Sequence, residues 1–248
     1  MKGPVEIAPG VYGLGTELVN WYLVEDSGRL TAVDAGLPKF RETLEADLRA
    51  IGRAPEDVEA VVLTHSDSDH TGVAQALRDA GARVLIHTAD DETLRKPGPK
   101  KGDAAPLRIL PQVAWRWRFW KTMSQMTRGG GAKPPKIEGA ETFAGGDVLD
   151  VPGRPRAVHT PGHTDGHCAF LFEDRRTLFV GDALCTWNFV SGELGPQLMP
   201  GPTNVSNAQA RESLADLEPL EANLLLPGHG EAWHGAASAA VAQARARA

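Results

Sequence analysis

Short apolar runs alternate with polar turns along this chain, and the period of each run predicts its element. Residues 21–24 and 30–34 are apolar stretches parted by Glu25-Asp26-Ser27-Gly28, a turn composition that predicts a β-hairpin. Phe40, Leu44, Leu48 and Ile51 then recur at three- and four-residue spacing, which predicts one helix over residues 39–51, opened by Pro38 and closed by Gly52. Residues 60–63 read as a strand, 72–80 as the following helix ended by Gly81, and 84–86 as the next strand. In the second half, residues 169–172 and 178–180 flank the turn Glu173-Asp174-Arg175-Arg176, and residues 224–226 form another strand-like run before Pro227-Gly228. Residues 235–248, rich in Ala and Arg, read as a surface helix.

Alternating strands and helices point to an α/β protein. With 248 residues, 42% of them hydrophobic and 23% charged, the expectation is one globular domain over residues 1–248. A formal net charge of −6 argues against a nucleic-acid partner, because phosphate contacts require a concentrated basic surface. No run is long and apolar enough for stable membrane insertion, and the first residues lack a secretory pattern, so the expected location is cytoplasmic. Cys168 and Cys185 lie outside any CxxC motif and are expected as buried free thiols.

Candidate chemistry gathers where the apolar runs end. Leu63-Thr64-His65, Val180-Gly181-Asp182 and Leu226-Pro227-Gly228-His229 each carry a metal-binding residue type just past a strand, where sites in α/β sheets form. Val158-His159-Thr160-Pro161-Gly162-His163 reaches a fourth through a rigid Pro-Gly turn. His65-Ser66-Asp67-Ser68-Asp69-His70 packs four donors into six residues, with alternate spacing that lets His65, Asp67 and Asp69 project in related directions. His159 and His167 flank His163 and read equally well as supports or as ordinary loop residues, while His87, His234 and Cys185 have weaker claims. A calcium loop is excluded, because position twelve of that frame is Arg78 where a bidentate Glu is needed.

The order HSDSDH, PGH, GD and PGHG resembles the metallo-β-lactamase superfamily, whose first motif is normally HxHxDH, from the Val33-Asp34-Ala35-Gly36 turn to His229. The resemblance implies a four-layer αββα sandwich. It implies two divalent metal ions, one on His65, Asp67 and His163 and the other on Asp69, His70 and His229, with Asp182 bridging. Asp34 would hold a ligand in place, and Asp69 would also carry a proton during catalysis. Asp67 stands where the family has a second His, so zinc is the ion the family implies while a third carboxylate favours harder ions such as iron or manganese.

The implied activity is hydrolysis of an ester, lactone, thioester or related carbonyl bond in a small-molecule substrate by metal-activated water. No GxSxG elbow and no GxxxxGK[ST] loop competes with it. Two alternatives stay open: an iron-dependent redox enzyme resembling thiol dioxygenases, and a non-catalytic binding protein on the same scaffold. Residues 96–137 fall outside the resemblance. There Val113, Trp117, Trp120 and Met123, with Arg116, Arg118 and Lys121 between them, predict a helix with one apolar face. Trp117 and Trp120 are thus candidate substrate contacts on a lid, with packing against the domain or a homodimer partner as the competing use.

Overall fold

The computed structural model describes residues 2–98, 102–103 and 110–247. It opens with four antiparallel strands, β1 (Lys2–Ala8), β2 (Val11–Gly15), β3 (Asn20–Asp26) and β4 (Arg29–Val33). The β3–β4 turn is the predicted hairpin, with Ser27 and Gly28 both at positive φ (52° and 80°), the backbone that matches the twist of the flanking strands. β1 and β2 have no clean apolar alternation, which is why the sequence does not announce them.

The chain continues through α1 (Leu44–Ala50), β5 (Val58–Val62), α2 (Ala74–Asp79), β6 (Arg83–His87) and α3 (Asp91–Arg95). The helix predicted over residues 39–51 is two pieces: Pro38–Glu42 is a 3-10 turn, and α1 starts after Thr43. The Thr43 hydroxyl bonds the Asp47 carboxylate at 2.8 Å, a local contact that competes with helix continuation. Next come α4 (Leu110–Val113), α5 (Trp117–Arg128) and β7 (Glu141–Phe143). Of the insertion expected at 96–137, residues 99–101 and 104–109 lie outside the described residues.

The second half comprises β8 (Arg156–His159), β9 (Cys168–Phe172), β10 (Thr177–Gly181), β11 (Cys185–Trp187), β12 (Leu194–Gln197), α6 (Asn207–Glu212), α7 (Leu214–Leu217), β13 (Leu224–Pro227), β14 (Trp233–His234) and α8 (Ala237–Arg247). Strands β1 to β7 form one mixed sheet in sequence order, parallel from β4 onward. A second sheet has the order β14-β13-β10-β9-β8, with β13 parallel to β10, and β11 pairs with β12 apart from both.

Period-two alternation sorts the side chains of these strands into three cores. Tyr22, Val24, Val33 and Val62 from the first sheet meet Phe170, Phe172, Phe179 and Leu226 from the second, which makes the central layer contact. The other face of the first sheet, with Trp21, Leu23 and Leu30, packs on Leu44 and Leu48 of α1 and Leu77 of α2. Leu171, Leu178 and Leu225 on the outer face of the second sheet pack on Leu214, Leu217 and α8. The result is the α/β four-layer αββα sandwich, and strands covered on both faces read as continuous apolar runs for that reason. The C-terminal helix is a surface helix as expected, with Arg245 and Arg247 exposed, and it buries Ala237, Ala240, Val241 and Ala244 because small residues let α8 lie close on the sheet.

Candidate metal centre

Each ligand-type residue leaves the C-terminal end of a strand at one edge of the sandwich. His65 follows β5, His163 follows β8, Asp182 follows β10 and His229 follows β13, so both sheets contribute. The loops are tied together from several sides. Asp90 accepts hydrogen bonds from the Ser66 and Gly166 backbone N–H groups (3.0 and 2.8 Å) and from the Thr164 hydroxyl (2.8 Å), clamping the His65 and His163 loops to each other. The Asn20 side chain and Tyr22 hydroxyl, on β3, donate to the Pro227 carbonyl at 3.0 and 2.6 Å and fix the His229 loop. Gly228 has a steric reason to lack a side chain: a Cβ there would lie 2.5 Å from His70 Cε1 and 2.6 Å from Asp182 Oδ1.

All four histidines of the cluster are at least nine-tenths buried and turn Nε2 inward, because Nδ1 is engaged behind each ring. His70 Nδ1 donates to Asp34 Oδ2 at 2.8 Å, His163 Nδ1 to Asn204 Oδ1 at 3.0 Å, and His229 Nδ1 to the Leu18 carbonyl at 2.5 Å. His65 Nδ1 donates to the Thr64 hydroxyl at 2.9 Å, which in turn donates to Asp34. Asp34 therefore orients two imidazoles, one directly and one through Thr64, and its backbone is held in the left-handed region at φ 60°, a strain typical of functional sites.

The donor atoms fall into the triads His65–Asp67–His163 and Asp69–His70–His229, with a third grouping of His65 and His70 around Asp182. In the first triad Asp67 Oδ2 is 3.0 Å from His163 Nε2 and 3.4 Å from His65 Nε2. In the second, Asp69 Oδ2 is 3.5 Å from His229 Nε2 and 3.8 Å from His70 Nε2. Asp182 sits between them, Oδ2 at 3.3 Å from His163 and 3.4 Å from His229, Oδ1 at 3.5 Å from His70.

These residues fit a metal. Donors about 2.0–2.2 Å from a tetrahedral ion stand about 3.3–3.6 Å from one another, close to the separations found. His65 Nε2, His70 Nε2 and Asp182 Oδ1 are buried without a hydrogen-bond partner, an arrangement that costs stability unless a cation completes it. The local electrostatics agree. Burial opposes charge on His70, yet Asp182, Asp34 and Asp69 raise it to about 10. Burial likewise opposes charge on His229, which Asp182 and Asp69 raise to about 9. Burial would raise Asp182, but His229, His70 and His163 hold it well below the ordinary carboxylate range. The cluster is an anionic nest that takes up positive charge, as protons or as metal.

His167 is a support rather than a donor: its Nε2 accepts the Asp182 backbone N–H at 2.9 Å and Nδ1 donates to the Thr160 hydroxyl at 2.8 Å. Burial, then the neighbouring His65 and His163, hold it well below its ordinary pKa, so it is neutral as that acceptor role requires. His87 and His159 stack on each other away from the cluster, with centroids 4.3 Å apart, and His234 lies exposed on β14. Cys185 is buried with its thiol pushed up to about 12 by that burial, an inert group. Thr64, Asp90 and Asn204 also serve the site, yet no motif in the sequence marks them.

The insertion is placed differently from its predicted face. Val113 belongs to α4, and α5 starts anew at Trp117 after a non-helical Arg116 (φ −87°, ψ 91°), which shifts the phase. The buried side of α5 carries Phe119, Thr122, Met123 and Met126, while Trp117 and Trp120 are 66% and 46% exposed. Thr122, Met123 and Met126 line a cavity of about 170 Å³ together with Asp67, Asp69, His163, Asp182 and His229. Trp117 lines a different, adjoining cavity, and Trp120 packs edge-on against Phe119 with its indole N–H donating to the Ala114 carbonyl at 3.2 Å. No described helix is long and apolar enough to cross a membrane.

The family model of the metallo-beta-lactamase superfamily matches residues 14–229. Among curated relatives, the probable metallo-hydrolase YflN of Bacillus subtilis (strain 168) is 27% identical over 243 residues, covering 91% of this chain and 85% of that protein. An atrochrysone carboxyl ACP thioesterase of Aspergillus fumigatus is 25% identical over 194 residues, which is 73% of this chain and 35% of that protein. A solved metallo-beta-lactamase family protein of Thermus thermophilus superposes with a TM-score of 0.70 at 25% identity, covering 97% of this chain and 80% of that one.

Proposed function

The chain belongs to the metallo-beta-lactamase superfamily, and on that premise we propose that this hydrolase is binuclear and cleaves an ester, lactone, thioester or related carbonyl bond of a small molecule. The buried atoms His65 Nε2, His70 Nε2 and Asp182 Oδ1, which lack a hydrogen-bond partner at the meeting point of two donor triads, carry the reading. His65, Asp67 and His163 would hold one ion and Asp69, His70 and His229 the other, with Asp182 facing both. Zinc is the ion the family favours, and the carboxylates of Asp67, Asp69 and Asp182 shift the preference toward iron or manganese. Divalent ions bound there supply a water acidic enough to attack near neutral pH and polarise the carbonyl oxygen.

The remaining work falls to the chain. Asp34, Thr64, Asn204 and the Leu18 carbonyl keep four imidazoles in one tautomer and one orientation, so little reorganisation accompanies the reaction. Asp69 lines the small cavity with its side chain 13% exposed, placed to hold the proton released as water adds to the carbonyl carbon and to return it to the departing oxygen or sulfur. Met123, Met126, Phe189 and Met199 give that cavity an apolar wall suited to a small acyl group and exclude bulk water from it.

The test is hydrolysis of matched ester, lactone and thioester substrates by metal-loaded protein, by the same protein stripped with chelator, and after metal is restored. Turnover of at least one bond class, lost on stripping and regained on reloading, is expected. Inertness toward all three in a fully loaded protein would overturn the reading.

A further inference from the structure

The cavity at the metal-facing residues, about 170 Å³, is smaller than the roughly 300–1,000 Å³ of sites that enclose a whole drug-sized ligand. Any substrate larger than a small acyl compound must therefore extend elsewhere, and three larger cavities share wall residues with this one: a cavity of about 750 Å³ meets it only at Leu18 and Trp187, and the other two differ sharply in charge. One, of about 710 Å³, is lined by Asp67, Asp69, Asp90, Glu92 and Asp165, with no Lys or Arg among the described residues of its wall. The other, of about 810 Å³, shares Leu18, Thr122 and Trp187 with the metal-facing cavity and so continues from it.

This second cavity has a different character. Trp117, Lys121, Gln125 and Arg128 follow one another at three- and four-residue steps along α5, so a single stripe of that helix forms one wall. Lys39 and Phe40 face it from the 3-10 turn, and Trp187 lies at the end shared with the small cavity beside the donor triads. The side chains of Lys39, Lys121 and Arg128 form no ion pair among the described residues, whereas Glu17, one of two carboxylates on the wall with Glu42, does have a polar or electrostatic contact. Three cations without an ion pair among the described residues, beside two indoles, make a surface suited to an anion carried on a flat or apolar body.

We propose that the substrate spans both cavities: the scissile carbonyl and its smaller half lie against Met123 and Met126, and its larger half, an anion on an aromatic or apolar body, lies between Trp117 and Trp187 with its charge toward Lys39, Lys121 and Arg128. The assignment rests on the carbonyl-hydrolase reading of the metal centre. Water adds to the carbonyl carbon, the bond to oxygen or sulfur breaks with the electron pair leaving on that atom, and the products are a carboxylic acid and an alcohol or thiol. The acidic cavity repels the charged half, so substrate orientation is set by the contrast between the two cavities.

Matched substrates that differ only in charge test this. One pair carries the anion on the thiol half, the acetyl thioesters of 4-mercaptobenzoate and 4-mercaptobenzamide. The second carries it on the acyl half, the methyl thioesters of 4-carboxybenzoic and 4-carbamoylbenzoic acid. In one pair kcat/KM should favour the anionic member, and Lys121→Gln/Arg128→Gln should cut that ratio about tenfold, as loss of two exposed charge contacts predicts. Lys136→Gln, on an exposed residue outside the wall, should leave the ratio unchanged. Calorimetric titration with 4-(methylthio)benzoate, which cannot be hydrolysed, gives a readout without turnover: saturable binding lost in the double variant is expected. Equal rates within both pairs and no selective binding of the benzoate over its amide would overturn the cavity assignment while leaving hydrolysis intact. Selective binding by a metal-loaded protein that turns over neither these thioesters nor the matched ester and lactone would instead remove the hydrolase reading and keep the cavity.

Discussion

The two donor triads share Asp182 but are supported differently. In the second triad His70 leans on a buried carboxylate, Asp34, and His229 on a backbone carbonyl, while Asp69 is only 13% exposed. In the first, His65 and His163 lean on the neutral side chains of Thr64 and Asn204, and Asp67 is 29% exposed. A carboxylate behind an imidazole makes it a better donor and holds it more firmly than an amide or hydroxyl does. The second triad should therefore keep its ion the longer, with Asp67 the weak point of the first.

Four changes would break or sharpen that contrast. The largest effect belongs to Gly228→Ala, whose methyl group intrudes on His70 and Asp182: the second triad should lose its ion and activity should fall to background, as elemental analysis and an esterase assay would reveal. Asp34→Ala should weaken metal affinity about 10- to 100-fold, because it releases His70 and frees Thr64 behind His65. Competition with a calibrated chelator would measure it, and an effect confined to the first triad would reverse the ranking. Asn204→Ala should cost less, up to about tenfold, and only at the first triad.

The smallest change is one of protons. His70 and His229 are raised above 6.5 to about 10 and 9, so in the metal-free fold both carry protons at pH 8. The stability they contribute is present at low pH and is lost as pH rises through 9 and then 10. Metal entering the second triad at pH 8 should then expel both protons, measurable by titration calorimetry in buffers of different ionisation enthalpy. Uptake without proton release would show that those imidazoles are already neutral.

Much of this arrangement is written in the sequence because its signals are local. His65, Asp67, Asp69 and His70 are neighbours in one loop, and the runs before His65, Asp182 and His229 are strands buried on both faces. Asp90 and Asn204 are not legible that way, since each acts on a loop that only the fold brings near: Asp90 lies 76 residues from Gly166, and Asn204 lies 41 from His163. Thr64 adjoins His65, but its role depends on Asp34, 30 residues away. The insertion misleads for another reason. Its indoles give a strong apolar period, but a break at Arg116 rotates α5 so that methionines rather than tryptophans reach the metal-facing cavity.

Metal content per chain tests the central claim most directly, by elemental analysis of protein purified without chelator, compared among the native sequence, Asp67→Ala and Asp67→His. Two ions in the native protein, one in Asp67→Ala and two again in Asp67→His is the predicted result. A single ion in all three would contradict the binuclear account and leave Asp67 without a part in holding metal.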